Sequence, residues 1–241
     1  MGLIERWAHN IGLRHWIETR MLKPVRTWSK LTATTSFDAE LQKIAHRDAA
    51  SYAYENFRKA IYFSSKKDMY DHVVENLQGS AGLCTEFGVY KAATLNYFAN
   101  KLPNRTWHGF DSFEGLPEAW SGSGQSKGAF SLGGKLPKVA PNVVLHKGWF
   151  SDTAVSFFEQ EDDNLAFAHL DADLYTATIE ALNAITAKVK AGSLLLFDEY
   201  FGQIAWREHE HKAFAEWLEK NQLEAECLAW VSNGAVLFRL K

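Results

Sequence analysis

Phe167-Ala-His-Leu-Asp-Ala-Asp-Leu-Tyr175 and Leu194-Leu-Leu-Phe-Asp-Glu-Tyr200 decide the reading of this chain. Each is a short apolar run that stops abruptly in acids followed by Tyr. Asp171 and Asp198 stand 27 residues apart, with a helix-like stretch and Gly192 between them. Two parallel strands joined by a crossover helix need a connection of about a dozen residues or more. Open parallel sheets bind ligands beyond the carboxyl ends of their strands. Asp171, Asp173, Asp198 and Glu199 are therefore expected at one rim. Carboxylates crowded there repel one another unless protons, a metal ion or cationic groups intervene.

The flanking sequence repeats the same alternation. Segments 83–87, 106–110, 143–146, 165–170 and 193–197 read as strands. Segments 91–102, 153–160, 177–190 and 207–220 read as helices. Residues 226–231 and 235–240 are two apolar runs joined by Ser232-Asn233-Gly234, and Asn-Gly in that setting is a strong hairpin signal. Five β/α units imply a parallel sheet with right-handed crossovers, closed by an antiparallel pair. The stretch 112–141 is rich in Gly, Ser and Pro, and a loop of that length is usually functional or mobile. Residues 38–78 read as a helical region that ends at Gly79-Ser80-Ala-Gly82. Two domains are expected: a helical cap, lid or oligomerisation region over 1–78, and the α/β domain over 79–241.

A chain of 241 residues with 46% hydrophobic content can fill one large α/β core. A net charge of −3 gives no general basic field for nucleic acid. Cys84 and Cys227 lie in apolar strand-like runs without CxxC spacing, which suits reduced core residues in a cytoplasmic protein. No stretch approaches the ~18 apolar residues of a membrane span. Residues 1–31 carry +4, leaving −7 for the remainder, and Trp7, Ile11, Leu13, Ile17 and Met21 fall near helical spacing. The preferred reading is a helix docked on the main domain or on a second copy. The alternative is a basic amphipathic helix on an anionic membrane.

Three further turns carry candidate site residues. Glu86-Phe87-Gly88 closes the first strand; Gly88 permits a sharp turn, and the next helix N-terminus can hold an anionic group. Asp111-Ser112-Phe113-Glu114-Gly115-Leu116-Pro117 follows the second strand. Asp111 lies 25 residues after Glu86, near the position of the ribose-binding acid in nucleotide-binding βαβ units. Trp149-Phe150 follows the third strand and suits either an adenine pocket or the core. His169 reads as a satisfied core histidine. His209 and His211 open the last helix, where a polar face and a catalytic base are the competing readings.

The terminal hairpin, the EFGVY turn, the DSFEGLP phrase and the GWF segment together resemble class I S-adenosylmethionine-dependent methyltransferases, within them the macrocin-type sugar O-methyltransferases. The resemblance covers roughly residues 79–241. It implies a Rossmann-like α/β sheet, mostly parallel and ending in the antiparallel hairpin, with added N-terminal helices. It also implies S-adenosyl-L-methionine held by Glu86, Gly88, Asp111, Ser112, Trp149 and Asp171. Asp171, Asp198 and Glu199 match positions that hold a divalent metal, Mg²⁺ by preference, although Glu199 stands where many relatives have Asp. Tyr90 and Ala92 depart from the usual glycine pattern. The expected reaction is O-methylation of a small-molecule acceptor such as a sugar or polyol, with Asp173, or secondarily His209, as base. The rival readings are a cofactor-binding module without turnover and a nicotinamide-dependent oxidoreductase; the missing GxGxxG weighs against the second.

Overall fold

The computed structural model describes residues 36–241. The basic stretch 1–31, with the docking and membrane roles read for it, lies outside them. Residues Gln42–Lys241 form one compact unit. In chain order the elements are α1 (Phe37–Asn56), β1 (Ile61–Phe63), α2 (Lys66–Leu77), β2 (Leu83–Phe87), α3 (Ala93–Lys101), β3 (Trp107–Asp111) and β4 (Val143–Lys147). They continue with α4 (Phe150–Gln160), β5 (Leu165–Leu170), α5 (Tyr175–Ile185), β6 (Leu194–Phe197), α6 (Glu210–Asn221), β7 (Ala225–Val231) and β8 (Val236–Leu240). Among the described residues no helix is long and apolar enough to cross a membrane.

Among the described residues eight strands form one sheet, in the order β1-β7-β8-β6-β5-β2-β3-β4. Only β8 runs against its neighbours, pairing antiparallel with β6 and β7. Strands β2, β5 and β6 are buried along their whole length. That is why they read as mostly apolar runs rather than strictly alternating ones, with Thr85, Glu86 and His169 the polar exceptions. Helices cover both faces. Met69, Val73 and Leu77 of α2 join Leu95 and Phe98 of α3 on one side. Ala154 and Phe158 of α4, Ala181 and Ile185 of α5, and Phe214 and Trp217 of α6 pack on the other. Phe98 stacks on Trp107 at 5.4 Å and 8°, a geometry worth about 0.5–1.5 kcal/mol beyond buried area.

The expected helical region 38–78 is interrupted. Ile61-Tyr62-Phe63 forms an edge strand parallel to β7, so the sheet has eight strands rather than seven. Tertiary pairing overrides local pattern here, because three residues carry no periodicity of their own. Ser65 then caps α2, its Oγ accepting from the Asp68 N–H at 3.2 Å.

The chain leaves β2 towards β3 and β4, and leaves β5 towards β6, so the crossovers diverge where β2 and β5 lie side by side. That divergence is the topological switch point, where open α/β sheets form their ligand crevice.

Candidate active site

A cavity of about 430 Å³ opens at this switch point, within the size range of small-molecule sites. Gly88, Asp111, Trp149 and Asp171 border it on the strand ends, and Asp173, Asp198 and Glu199 extend its rim. The 112–141 stretch is an ordered lid. Leu116 and Ala129 pair through N–H to O at 2.9 Å, and Leu132 and Gly134 donate to Phe113 O at 3.0 and 2.9 Å. Thr176 Oγ1 donates to Glu118 Oε1 at 3.0 Å, tying the lid to α5. Leu116, Trp120 and Phe130 face the cavity from it.

Each residue expected at the cofactor end has a defined environment. Gly88 has φ +88°, and a Cβ there would stand 1.8 Å from Asp171 O, so the turn must be glycine because β5 touches it. Tyr90 and Ala92, which replace the later glycines, both hold left-handed backbone, at φ 46° and 59°. The glycine-type turn is thus built from L-residues under strain. Asp111 borders the cavity, yet its carboxylate also staples the loops. Oδ2 accepts from Val89 and Tyr90 N–H at 2.8 and 2.7 Å, and Oδ1 from Phe113 N–H at 2.6 Å. Ser112 lines the cavity and its Oγ accepts from Glu114 N–H. Trp149 lines the cavity with 42% of its surface exposed, so it is not a core residue.

Glu86 does not border the cavity. It is wholly buried, and its Oε2 lies 3.1 Å from Nδ1 of His169, itself completely enclosed. The other nitrogen, Nε2, lies 3.5 Å from Asp198 Oδ1. Burial favours a neutral imidazole, but the two carboxylates prevail and push His169 up to about 10. Asp198 continues the series: Lys66 Nζ donates to its Oδ2 at 2.6 Å and stands 3.7 Å from Glu199 Oε1. Tyr70 OH also donates to Asp198 Oδ1, at 3.3 Å. Burial opposes ionisation of Asp198, and the His169 and Lys66 cations more than offset it, holding the carboxyl well below its usual range. Glu86, His169, Asp198, Lys66 and Glu199 form a run of alternating acidic and basic side chains from the sheet to the rim.

Lys66 is the main residue that sequence reasoning missed. It occupies the first position of α2, at the positive end of the helix dipole, where a cation is disfavoured by about 0.3–1 kcal/mol. That misplacement is the single sequence signal, and the rim acids explain it. Glu210 is the second omission. It is fully buried, and its Oε2 accepts from Glu199 N–H at 3.0 Å, fixing the second acid of the pair.

The base candidates separate. Asp173 lines the cavity with φ +60°, a strained conformation for a non-glycine residue at a functional rim. Burial first, then Glu199 and Asp198, push its carboxyl up to about 7. His209 precedes α6, where its Nε2 lies 3.1 Å from Ser121 Oγ and 3.0 Å from Ser121 O. It anchors the lid and does not border the cavity.

The rim as built does not fit the divalent ion implied by the resemblance. Mg²⁺ demands near-octahedral oxygen ligands at about 2.0–2.1 Å. The Lys66 ammonium already stands against both acids of the Asp198–Glu199 pair. Among the described residues, no three His, Cys, Asp or Glu side chains gather closely enough to hold an ion.

Residues 134–240 match the family model for macrocin-O-methyltransferase (TylF). No curated protein matches the chain. Among solved structures, CalS11, a calicheamicin methyltransferase, is similar at 24% identity and a TM-score of 0.59, over 71% of this chain and 77% of that one. The O-methyltransferase NovP is similar at 22% identity and a TM-score of 0.56, over 71% and 78%. An apo structure of CalS11, described as a TDP-rhamnose 3'-O-methyltransferase, gives 24% identity and a TM-score of 0.53, over 71% and 77%. At these identities the solved structures establish the fold alone. The fold is that of these solved methyltransferase structures, and residues 134–240 are similar to the macrocin-type O-methyltransferases.

Proposed function

We propose that this protein transfers the methyl group of S-adenosylmethionine to a hydroxyl of a small sugar-like or polyol-like acceptor. The observation that carries the reading is the single cavity-lining series from Gly88, Asp111 and Trp149 to Asp173 and the Asp198–Glu199 pair. One end offers an aromatic face and a carboxylate, and the other offers acids for an acceptor hydroxyl. Trp149 stacks on the adenine. Asp111 has four acceptor sites, of which three serve backbone N–H groups, so one remains for a ribose hydroxyl. The CalS11 description supports a sugar acceptor.

In the reaction the acceptor oxygen attacks the sulfonium methyl in line, the C–S bond breaks, and S-adenosylhomocysteine leaves. Alignment of the two reactants supplies most of the help the protein can give. Asp173 takes the hydroxyl proton; a carboxyl near pH 7 suits a general base working at neutral pH. The lid residues Leu116 and Trp120 exclude water over the acceptor. A magnesium ion, where relatives use one, would polarise the hydroxyl. In this structure Lys66 stands against the acids that would hold it.

Differential stabilisation tests the reading. S-adenosylmethionine and S-adenosylhomocysteine should raise the melting temperature in proportion to occupancy, and NAD should not. Methyl transfer to a panel of nucleotide-linked and free sugars then identifies the acceptor. Stabilisation by NAD alone would replace this reading with the oxidoreductase one. Stabilisation by S-adenosylmethionine without turnover on any hydroxylated acceptor would favour a binding module.

A further inference from the structure

We infer that Lys66 is the resident cation of the acid rim, standing where a divalent ion would otherwise sit, and that the methyl transfer of this chain therefore runs without Mg²⁺. The inference rests on the methyltransferase reading only for its effect on turnover; the claim about ion binding stands apart from it.

The geometry is specific to one lysine. Lys66 Nζ lies 2.6 Å from Asp198 Oδ2 and 3.7 Å from Glu199 Oε1, so it bridges the two consecutive acids at the end of β6. Its side chain is 24% exposed, against 68% for the adjacent Lys67. Lys67 instead reaches Asp71 one helical turn away, an ordinary surface pair. Three fixed attachments hold Lys66 in place. Ser65 caps the helix at the residue before it. Strand β1, just upstream, is pinned to β7 through Phe63 and Val231. Met69 and Val73, one and two turns on, are completely buried. The ammonium therefore belongs to a rigid element rather than to a loop.

The charge balance agrees with the geometry. Asp198 already meets His169 on its other oxygen, so both of its oxygens are engaged before any metal arrives. A divalent ion ligated by Asp198 and Glu199 would need sub-2.5 Å approaches to oxygens that the ammonium now contacts. It would face a like charge at the distance of a first neighbour. Lys66 does not border the cavity itself, so it acts through the acids as a positioning residue. It holds Asp198 and Glu199 in place side by side, and it leaves their cavity-facing surface to the acceptor hydroxyls.

The experiment measures Mn²⁺ binding by electron paramagnetic resonance on the full chain, comparing wild type, Lys66→Met, Lys66→Arg, Lys67→Met and the double variant Lys66→Met/Asp198→Asn. Stabilisation by S-adenosylhomocysteine serves as the check that each protein is folded. Wild type, Lys66→Arg and Lys67→Met should show no saturable Mn²⁺ site at millimolar metal. Lys66→Met should gain one site, at least tenfold tighter than wild type, which the added Asp198→Asn removes. With an acceptor in hand, wild-type turnover should be unchanged by EDTA. Lys66→Met should lose at least tenfold in kcat in EDTA, with partial recovery on adding Mg²⁺ or Mn²⁺. A stoichiometric Mn²⁺ site in wild type overturns the inference and needs no variant to do so. A folded Lys66→Met that gains no site, or wild-type turnover abolished by EDTA, overturns it equally. Failure of S-adenosylhomocysteine to stabilise wild type would instead strike the methyltransferase reading and leave the metal result interpretable.

Discussion

Gly88 and Asp171 meet backbone to backbone: a Cβ on the glycine would stand 1.8 Å from the aspartate's carbonyl oxygen. The contact welds the ends of β2 and β5 at the floor of the cavity, where Gly88 N–H donates to Phe110 O and Asp171 N–H to Phe87 O. Gly88→Ala therefore combines a backbone clash with a left-handed φ of +88°. The expected cost is about 3 kcal/mol or more, beyond the ordinary range for surface substitutions. Urea denaturation checks it, and a midpoint within error of wild type would show that the two strand ends can separate freely.

Trp149→Ala should weaken S-adenosylhomocysteine binding with little change in stability. The side chain is partly open to solvent, so its removal leaves no large core cavity. Base–aromatic stacking is worth about 1–3 kcal/mol, so calorimetry should show roughly a tenfold loss or more. Unchanged affinity would move the adenine elsewhere in the cavity.

Asp173→Asn should separate binding from chemistry. Removing a positioned base typically lowers kcat by about 10²–10⁴. Asparagine keeps the size of the side chain and tolerates left-handed backbone, so the fold and cofactor affinity should persist. A single-turnover assay with saturating cofactor and acceptor reads the loss. Wild-type turnover would transfer the proton to solvent or to another rim acid.

His146 gives a stability prediction with a definite sign. It stacks on Phe110 at 4.5 Å, and its Nε2 lies 3.1 Å from His108 Nδ1. Burial first, then His108, push it down to about 4 from an ordinary 6.5. Between those values the unfolded chain takes up a proton that the folded protein refuses. This contribution to stability is complete above about pH 6.5 and declines as pH falls towards 4. His146→Phe removes it, so the variant should lose less melting temperature than wild type between pH 7 and pH 5. Parallel losses in the two proteins would mean that His146 charges freely in the folded state.

Much of this architecture was legible because burial writes itself into sequence. Strands β2, β5 and β6 are enclosed on both faces and appear as apolar runs, and Asn233-Gly234 marks the turn between β7 and β8. The rim acids were legible because strand ends at a switch point gather there by topology alone. The expectation that something must intervene among them was also sound in its physics. What intervenes was not legible, since Lys66 reaches Asp198 across more than half the chain and only the docking of α2 brings it there. Asp111 reads as a diol-binding acid from spacing, but its amide partners Val89 and Tyr90 sit on the neighbouring turn, which no local pattern reveals. Strand β1 was hidden for the same reason: its three residues become a strand through Ala229–Val231.

That pairing has a consequence for the order in which the protein is made. Ile61, Tyr62 and Phe63 leave the ribosome long before their partners Ala229, Trp230 and Val231. Such a long-range closure is slow, and it waits on the hairpin that precedes it in space. Strands β2 to β6 can associate while this edge is still absent, which sets Asp171 and Asp198 side by side on the nascent chain. The segment bearing Lys66 is anchored through β1, so its ammonium takes its final seat only once β7 has emerged. A polypeptide arrested before Ala225 would carry every acid of the rim, and its oldest described strand would have nothing to pair with.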